Sequence, residues 1–157
     1  RPEFALDASG WNPRYNFDGF LAFDQPFAYT QLFHNGIIEA VNAGMIGWGG
    51  KHRKIPSVQY ERELIQTIPT YLKVQQDIGV EPPFLIFLSL LGVRGYTMAV
   101  DARPRAEYPI NRDNLIMPEV LMESYDVEIT EVMRPIFDQV WNATGWQRSF
   151  NYNEDGE

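Results

Sequence analysis

The stretch Tyr29–Gly44, YTQLFHNGIIEAVNAG, joins two strand-like runs at Asn35-Gly36. Asn-Gly is the strongest short hairpin signal, because both central residues of a type I′ turn take positive φ. A competing register uses His34-Asn35-Gly36 as a three-residue loop with only Gly36 left-handed. The sequence leaves both registers open. In the two-residue register His34 and Glu39 share a face and reach each other diagonally, which makes them a candidate acid–base pair. No serine, cysteine or third orienting group is placed to complete a catalytic set. A cross-strand polar pair on a partly exposed hairpin is the plainer reading.

Upstream of this hairpin, Asp18–Phe23 (DGFLAF) reads as a strand and residues 1–16 as a lead-in segment without period. Downstream, Met45–Lys54 (MIGWGGKHRK) is a glycine-rich, then basic, connection. Ser57 is the predicted N-cap of a helix running to about Ile78 and closed by Gly79. Leu64, Ile65, Ile68 and Leu72 form its apolar stripe, and Pro69 predicts a kink or a break. Phe84–Leu91 (FLIFLSLL) is a continuous apolar run, which predicts a strand buried on both faces or central in its sheet. Gly92-Val93-Arg94-Gly95 turns it into Tyr96–Val100, a second hairpin. Residues 101–114 make a long polar loop, and Leu115–Tyr125 is a strand that Pro118 confines to an edge or a bulge.

The last helix has the clearest pattern. Ile129, Val132, Met133, Ile136, Phe137, Val140 and Trp141 recur at helical spacing without a gap. Asp126 is the predicted cap, Glu128 and Glu131 favour the positive end of the helix dipole, Pro135 lies inside, and Gly145 ends it. Hairpins too short for parallel crossovers predict a largely antiparallel sheet. The expected fold is α+β: a two-layer sandwich with five or six strands and two amphipathic helices on one face.

The 157 residues suit a single domain over 1–157, with residues 151–157 as an acidic tail, and bury roughly two-thirds of the unfolded surface. Apolar residues make up 45% and aromatics 14%, too much for a disordered chain. No export signal or run of 18 apolar residues is present, which predicts a cytoplasmic chain with no membrane partner. With no cysteine, disulfides and thiolate metal sites are excluded. A first residue of Arg1 rather than Met predicts a piece of a longer protein. Residues 1–114 hold 12 acids and 11 bases, whereas residues 115–157 hold 9 acids and only Arg134 and Arg148. That acidic third repels phosphate backbones and argues against wrapping duplex DNA.

Trp48 with Lys51, His52, Arg53 and Lys54 is the one dense basic run, suited to a phosphate or a stacked single-stranded base, or simply a solvated loop. The glycines before it lack the G-x-x-x-x-G-K-[ST] pattern, since His52 replaces the hydroxyl. Arg94, Arg103, Arg105 and Arg112 are candidate anion ligands, but interleaved Asp101, Glu107 and Asp113 favour internal ion pairs. A nuclease would draw on carboxylates such as Asp24 and Glu39, yet the residues after Glu39 omit the expected lysine. No metal-ligand spacing and no cofactor motif is present, and no catalytic residue is assigned.

Four segments, SGWNPRYNFDGFLAF (Ser9–Phe23), YTQLFHNGIIEAV (Tyr29–Val41), GVEPPFLIFLSLLGVRGY (Gly79–Tyr96) and PIFDQVWNATGWQRSFNYNEDG (Pro135–Gly156), together resemble a known group. It is the C-terminal region of large bacterial Schlafen/AlbA-type DNA-binding proteins, also described as ATP-binding or helix-turn-helix proteins. The resemblance spans nearly the whole chain. It implies that an AlbA-type domain elsewhere in the longer protein carries any nucleic-acid role, so that this chain contacts nucleic acid only indirectly. It transfers no catalytic residue. The expected role is a non-catalytic module that senses a ligand, docks a partner or forms a homodimer, and so regulates the attached DNA-binding domain. A nuclease-type hydrolase and an accessory nucleic-acid contact through residues 48–54 are the alternatives.

Overall fold

The computed structural model describes residues 12–24, 27–46, 53–100 and 108–152. In the quoted hairpin, strands β3 (Ala28–Phe33) and β4 (Ile38–Asn42) pair antiparallel with Leu32 opposite Ile38. The Phe33 amide donates to the Ile37 carbonyl at 2.8 Å and the Gly36 amide to the Phe33 carbonyl at 2.9 Å. This is the three-residue register, with Gly36 at φ +85° and no other residue type at positive φ among those described. Gly36 is also held from outside. Gln75 donates its side-chain amide to the Gly36 carbonyl at 2.9 Å, and Val80 presses where a Cβ would stand.

Strands β1 (Arg14–Asn16) and β2 (Gly19–Asp24) extend the hairpin into a four-stranded meander in the order β1-β2-β3-β4. The expected lead-in is therefore structured at its end. Asn16 explains why: its Oδ1 accepts from the Asp18 and Gly19 amides at 3.1 and 2.9 Å, a side-chain turn that reverses the chain into β2.

Strand β5 (Lys54–Pro56) leads into helix α1 (Ser57–Asp77). Ser57 is the first helical residue rather than the cap. Pro56 occupies the cap position and offers no side-chain hydrogen bond. The helix passes through Pro69 without ending, because Ile68 and Leu72 on either side are anchored in one core. At its end the Gly79 amide donates to the Gln76 carbonyl and the Val80 amide to the Gln75 carbonyl, a Schellman closure.

The run Phe84–Leu91 forms two short strands, β6 (Phe84–Ile86) and β7 (Ser89–Leu91), instead of one central strand. Its even-numbered residues face the core, whereas Leu85, Phe87 and Leu91 are exposed. The run is half-buried with an apolar outer face, so apolar continuity did not mean burial on both sides. The second hairpin does not form either. Val93–Tyr96 closes a turn with Gly95 at φ +82°, and the chain then leaves in strand β8 (Thr97–Ala99), which pairs parallel to β5. Strands β9 (Asn114–Ile116) and β10 (Val120–Met122) return antiparallel to β7 and β6. Between the two ladders the register slips by one residue opposite Phe87, and the extra residue falls at Pro118-Glu119. This is the bulge that Pro118 predicts.

Helix α2 (Ile129–Ala143) buries Ile129, Met133, Ile136, Phe137, Val140 and Trp141, as its spacing predicts, and continues through Pro135. Glu128, not Asp126, takes the cap position. Thr144 and Gly145 close the helix with a second Schellman pattern, in which the Trp146 amide reaches the Trp141 carbonyl and their rings pack edge-on at 6.3 Å.

The class is thus α+β with mostly antiparallel pairing. Among the described residues the strands divide into one four-stranded meander and three two-stranded ladders rather than one five- or six-stranded sheet. One large core joins α1, α2 and the ladders, and a small second cluster of Ala22, Leu32 and Val74 fastens the meander to the outer half of α1.

Candidate functional site

The parallel β5–β8 pairing sets the start of α1 beside Ala99 and Val100. After α2 the chain folds back over the same place, so the expected acidic tail is structured through Tyr152. The Tyr152 ring is buried against Phe137 and its hydroxyl donates to the Thr130 carbonyl at 3.0 Å. The result is an open cleft of about 360 Å³ bounded by Lys54, Ser57, Val58, Ala99, Val100, Phe150 and Asn151, with Trp141 at its base.

Beneath the cleft lies Glu61, only 2% exposed. Its Oε1 accepts from the Trp141 indole at 2.7 Å, the Tyr60 hydroxyl at 3.1 Å and the Ser149 hydroxyl at 3.0 Å. Its Oε2 accepts from the Asn151 amide at 2.8 Å and lies 3.1 Å from the same Ser149 oxygen. All the donors are neutral. A buried carboxylate without such donors is strongly unfavourable, so this set fixes Glu61 and also fastens the returning segment to both helices. Asn151 adds a bond to the Ser57 carbonyl at 2.9 Å. Burial, and next the Glu61 charge, pushes the Tyr60 and Tyr152 phenols well above the usual tyrosine range. Glu61 does not itself line the cleft, and its oxygens are occupied, so the arrangement positions structure rather than presenting a reactive acid.

The sequence reading passed over Glu61. Extending the stripe Leu64, Ile65, Ile68 one turn back lands on Tyr60 and Glu61, an acid on a buried face opposite a tryptophan that needs an acceptor. Ser149 and Asn151 carry no comparable signal.

The sequence candidates fall apart in space. His34 sits in the hairpin loop with Nε2 3.2 Å from the Phe17 carbonyl, while Glu39 accepts from the Tyr29 hydroxyl at 2.7 Å. The diagonal pair belonged to the two-residue register and does not form. Asp24 pairs with Ala28 and Glu39 with Gln31. Their backbones are one intervening strand and three register positions apart, about 14 Å by strand geometry. No cluster of three histidine, aspartate or glutamate side chains suited to a metal occurs among the described residues.

Trp48, Lys51 and His52, like Arg103 and Arg105, lie outside the described residues. Arg53 reaches the Arg94 carbonyl at 3.4 Å, so the basic run touches the 92–95 turn. Arg94 forks onto Asp113, with Nε–Oδ1 at 2.8 Å, and onto the Asn111 carbonyl at 2.6 Å. The bond to Arg94 and its charge hold Asp113 below the usual carboxylate range. This arginine is engaged within the fold, and Arg112 is exposed nearby.

A second feature is larger. On the outer face of the β6/β7–β9/β10 ribbon, Leu85, Phe87, Leu91, Ile116 and Leu121 are between 47 and 68% exposed. Leu85 stands directly opposite Leu121, Ile116 opposite Ser89, and Phe87 opposite the bulge. Together they expose on the order of 600 Å² of apolar surface, the upper end of what monomers show.

Comparison with protein-family models, with curated proteins and with solved structures returned no match. The Schlafen/AlbA resemblance rests on the residues of its four segments alone. Among the described residues no helix is long and apolar enough to cross a membrane.

Proposed function

We propose that this chain is a non-catalytic assembly module that pairs with a second copy of itself through the apolar ribbon face, and that it thereby regulates an attached DNA-binding domain. The observation that carries the first half is the uncovered face of Leu85, Phe87, Leu91, Ile116 and Leu121. Sheet faces rarely leave five large apolar side chains in water without a partner. A two-fold contact matches the face to itself, since an isologous interface uses the same patch twice. Two such patches bury about 1,200 Å², the lower end of stable interfaces. The second half rests on the resemblance: dimerisation would bring two AlbA-type domains onto one nucleic acid.

Sedimentation equilibrium tests the reading. The wild-type chain should be a dimer, and Phe87→Glu, which alters an exposed side chain and leaves the core intact, should be a monomer with unchanged circular dichroism. In the longer protein the same substitution should weaken DNA binding by removing the second domain from each particle. A wild-type chain that stays monomeric at every concentration sinks the proposal.

A further inference from the structure

We propose that Asn35 is a deamidation site that the fold holds in check, and that its conversion to isoaspartate releases the meander from the end of helix α1. Asn35 is the only asparagine of the chain that a glycine follows. A Cβ on the following residue hinders attack of its amide nitrogen on the asparagine side chain, and glycine has none. Asn35 is exposed, and its Oδ1 accepts from the Ile37 amide at 3.1 Å. The turn closed by that bond contains both reacting atoms, the Asn35 Cγ and the Gly36 nitrogen.

The reaction needs no reagent but water. The Gly36 nitrogen gives its proton to solvent base and bonds to Cγ. The carboxamide C–N bond breaks, and its nitrogen leaves with a proton as ammonia. Water then opens the five-membered succinimide. Opening at the former side-chain carbonyl gives aspartate. Opening at the backbone carbonyl gives isoaspartate, whose main chain runs through Cβ and Cγ and is one carbon longer.

In the closed loop the nucleophile is restrained. The Gly36 amide donates to the Phe33 carbonyl at 2.9 Å, and Gly36 is buried although Asn35 beside it is exposed. Gln75 holds the Gly36 carbonyl at 2.9 Å, and the Val80 and Ile78 side chains close over its Cα. Loss of the amide proton and rotation toward Cγ both require the Gly36–Phe33 bond to break, so loop opening sets the rate in the folded chain. The product acts on the same contacts. Phe33 also donates across the loop to the Ile37 carbonyl at 2.8 Å. A three-residue loop cannot take an extra backbone carbon and keep both bonds. Gly36 is then drawn away from Gln75 and Val80, which leaves the meander only the small cluster of Ala22, Leu32 and Val74. The ribbon face takes no part, so the inference stands apart from the dimer reading.

The test is incubation of the chain at 37 °C and mildly alkaline pH, with asparagine, aspartate and isoaspartate at position 35 resolved by peptide mass spectrometry. The same chain in guanidinium chloride gives the unrestrained rate. Folded Asn35 should convert measurably but about tenfold or more slowly than in denaturant. Gln75→Ala, a good helix residue at that position, should raise the folded rate about threefold to tenfold through the lost hydrogen bond and leave the denatured rate unchanged. The purified isoaspartate form should show faster amide exchange in β3, β4 and residues 78–80 with α2 unchanged, whereas Asn35→Asp, which adds the charge without the extra carbon, should keep the native pattern. Equal rates in the folded and denatured chain overturn the inference, as does a Gln75→Ala rate equal to wild type. Conversion seen only in denaturant, or an isoaspartate form with native exchange, overturns it as well.

Discussion

Two tyrosine–glutamate hydrogen bonds sit at opposite ends of the burial scale. Tyr29 donates to Glu39 at 2.7 Å on the exposed face of the meander, and Tyr60 donates to Glu61 at 3.1 Å inside the main core. The shorter bond is the less important one. At the surface water competes for both groups, so the net gain is small. In the core Glu61 has no access to water and depends on every donor around it. The same contrast runs through the two regions. The meander rests on Ala22, Leu32 and Val74 with polar Asn16, Thr30 and Gln31 around them, whereas the core between the helices is continuous and aromatic.

The largest effect expected from this contrast is in the aromatic core. Phe137→Ala removes a fully buried ring that meets Tyr60 edge-on at 5.7 Å and should cost about 3–5 kcal/mol. Denaturant unfolding gives the value. Leu32→Ala in the small cluster should cost about 2 kcal/mol and raise amide exchange chiefly in β2–β4. If the two substitutions cost the same and melt the whole chain alike, the division into a large and a small core is wrong.

Glu61→Gln is the next test. The volume is kept, but an NH₂ group now faces donors, and one or two of Tyr60, Trp141, Ser149 and Asn151 lose their acceptor. The expected loss is about 1–3 kcal/mol, measured by thermal unfolding. Glu39→Gln on the meander should shift stability by no more than about 0.5 kcal/mol. Equal effects would mean that burial does not separate the two carboxylates.

What was legible in the sequence follows from the same physics. Helix α2 was readable residue by residue because a one-sided apolar stripe admits a single orientation. The hairpin was readable up to its register, which Gln75 and Val80 of a distant helix end decide through contacts with Gly36. Phe84–Leu91 misled because an apolar run does not reveal whether a partner covers its second face. Glu61 was missed because a single acid on α1 looks like ordinary surface charge until Trp141, Ser149 and Asn151, 80 or more residues away, are seen to converge on it. Candidates chosen for their chemistry alone, such as His34 with Glu39, depended on a register that the sequence left open.

Gly36→Ala probes the link between the regions. The left-handed backbone and the pressure of Val80 against a new Cβ should cost about 1–2 kcal/mol. The loss should appear as faster amide exchange in the hairpin and the α1 end together. Exchange confined to the loop would show that the meander is not held by this contact.

The smallest effect separates the two tyrosines by pH. Hydrogen bonding to Glu39, then burial, raises the Tyr29 phenol above 10.0, and burial, then Glu61, raises Tyr60 much further. A phenol with a raised folded value contributes stability that is full below the unfolded value near 10 and is lost as pH rises beyond it. Wild type and Tyr29→Phe should therefore differ by about 0.5 kcal/mol at neutral pH, and the difference should fade as Tyr29 ionises in the folded chain. Phenolate absorbance should show Tyr29 titrating reversibly while the fold persists, and Tyr60 ionising only as the chain unfolds. A Tyr60 that titrates with Tyr29 in the folded protein would mean that water reaches Glu61, and the contrast between the two pairs would collapse.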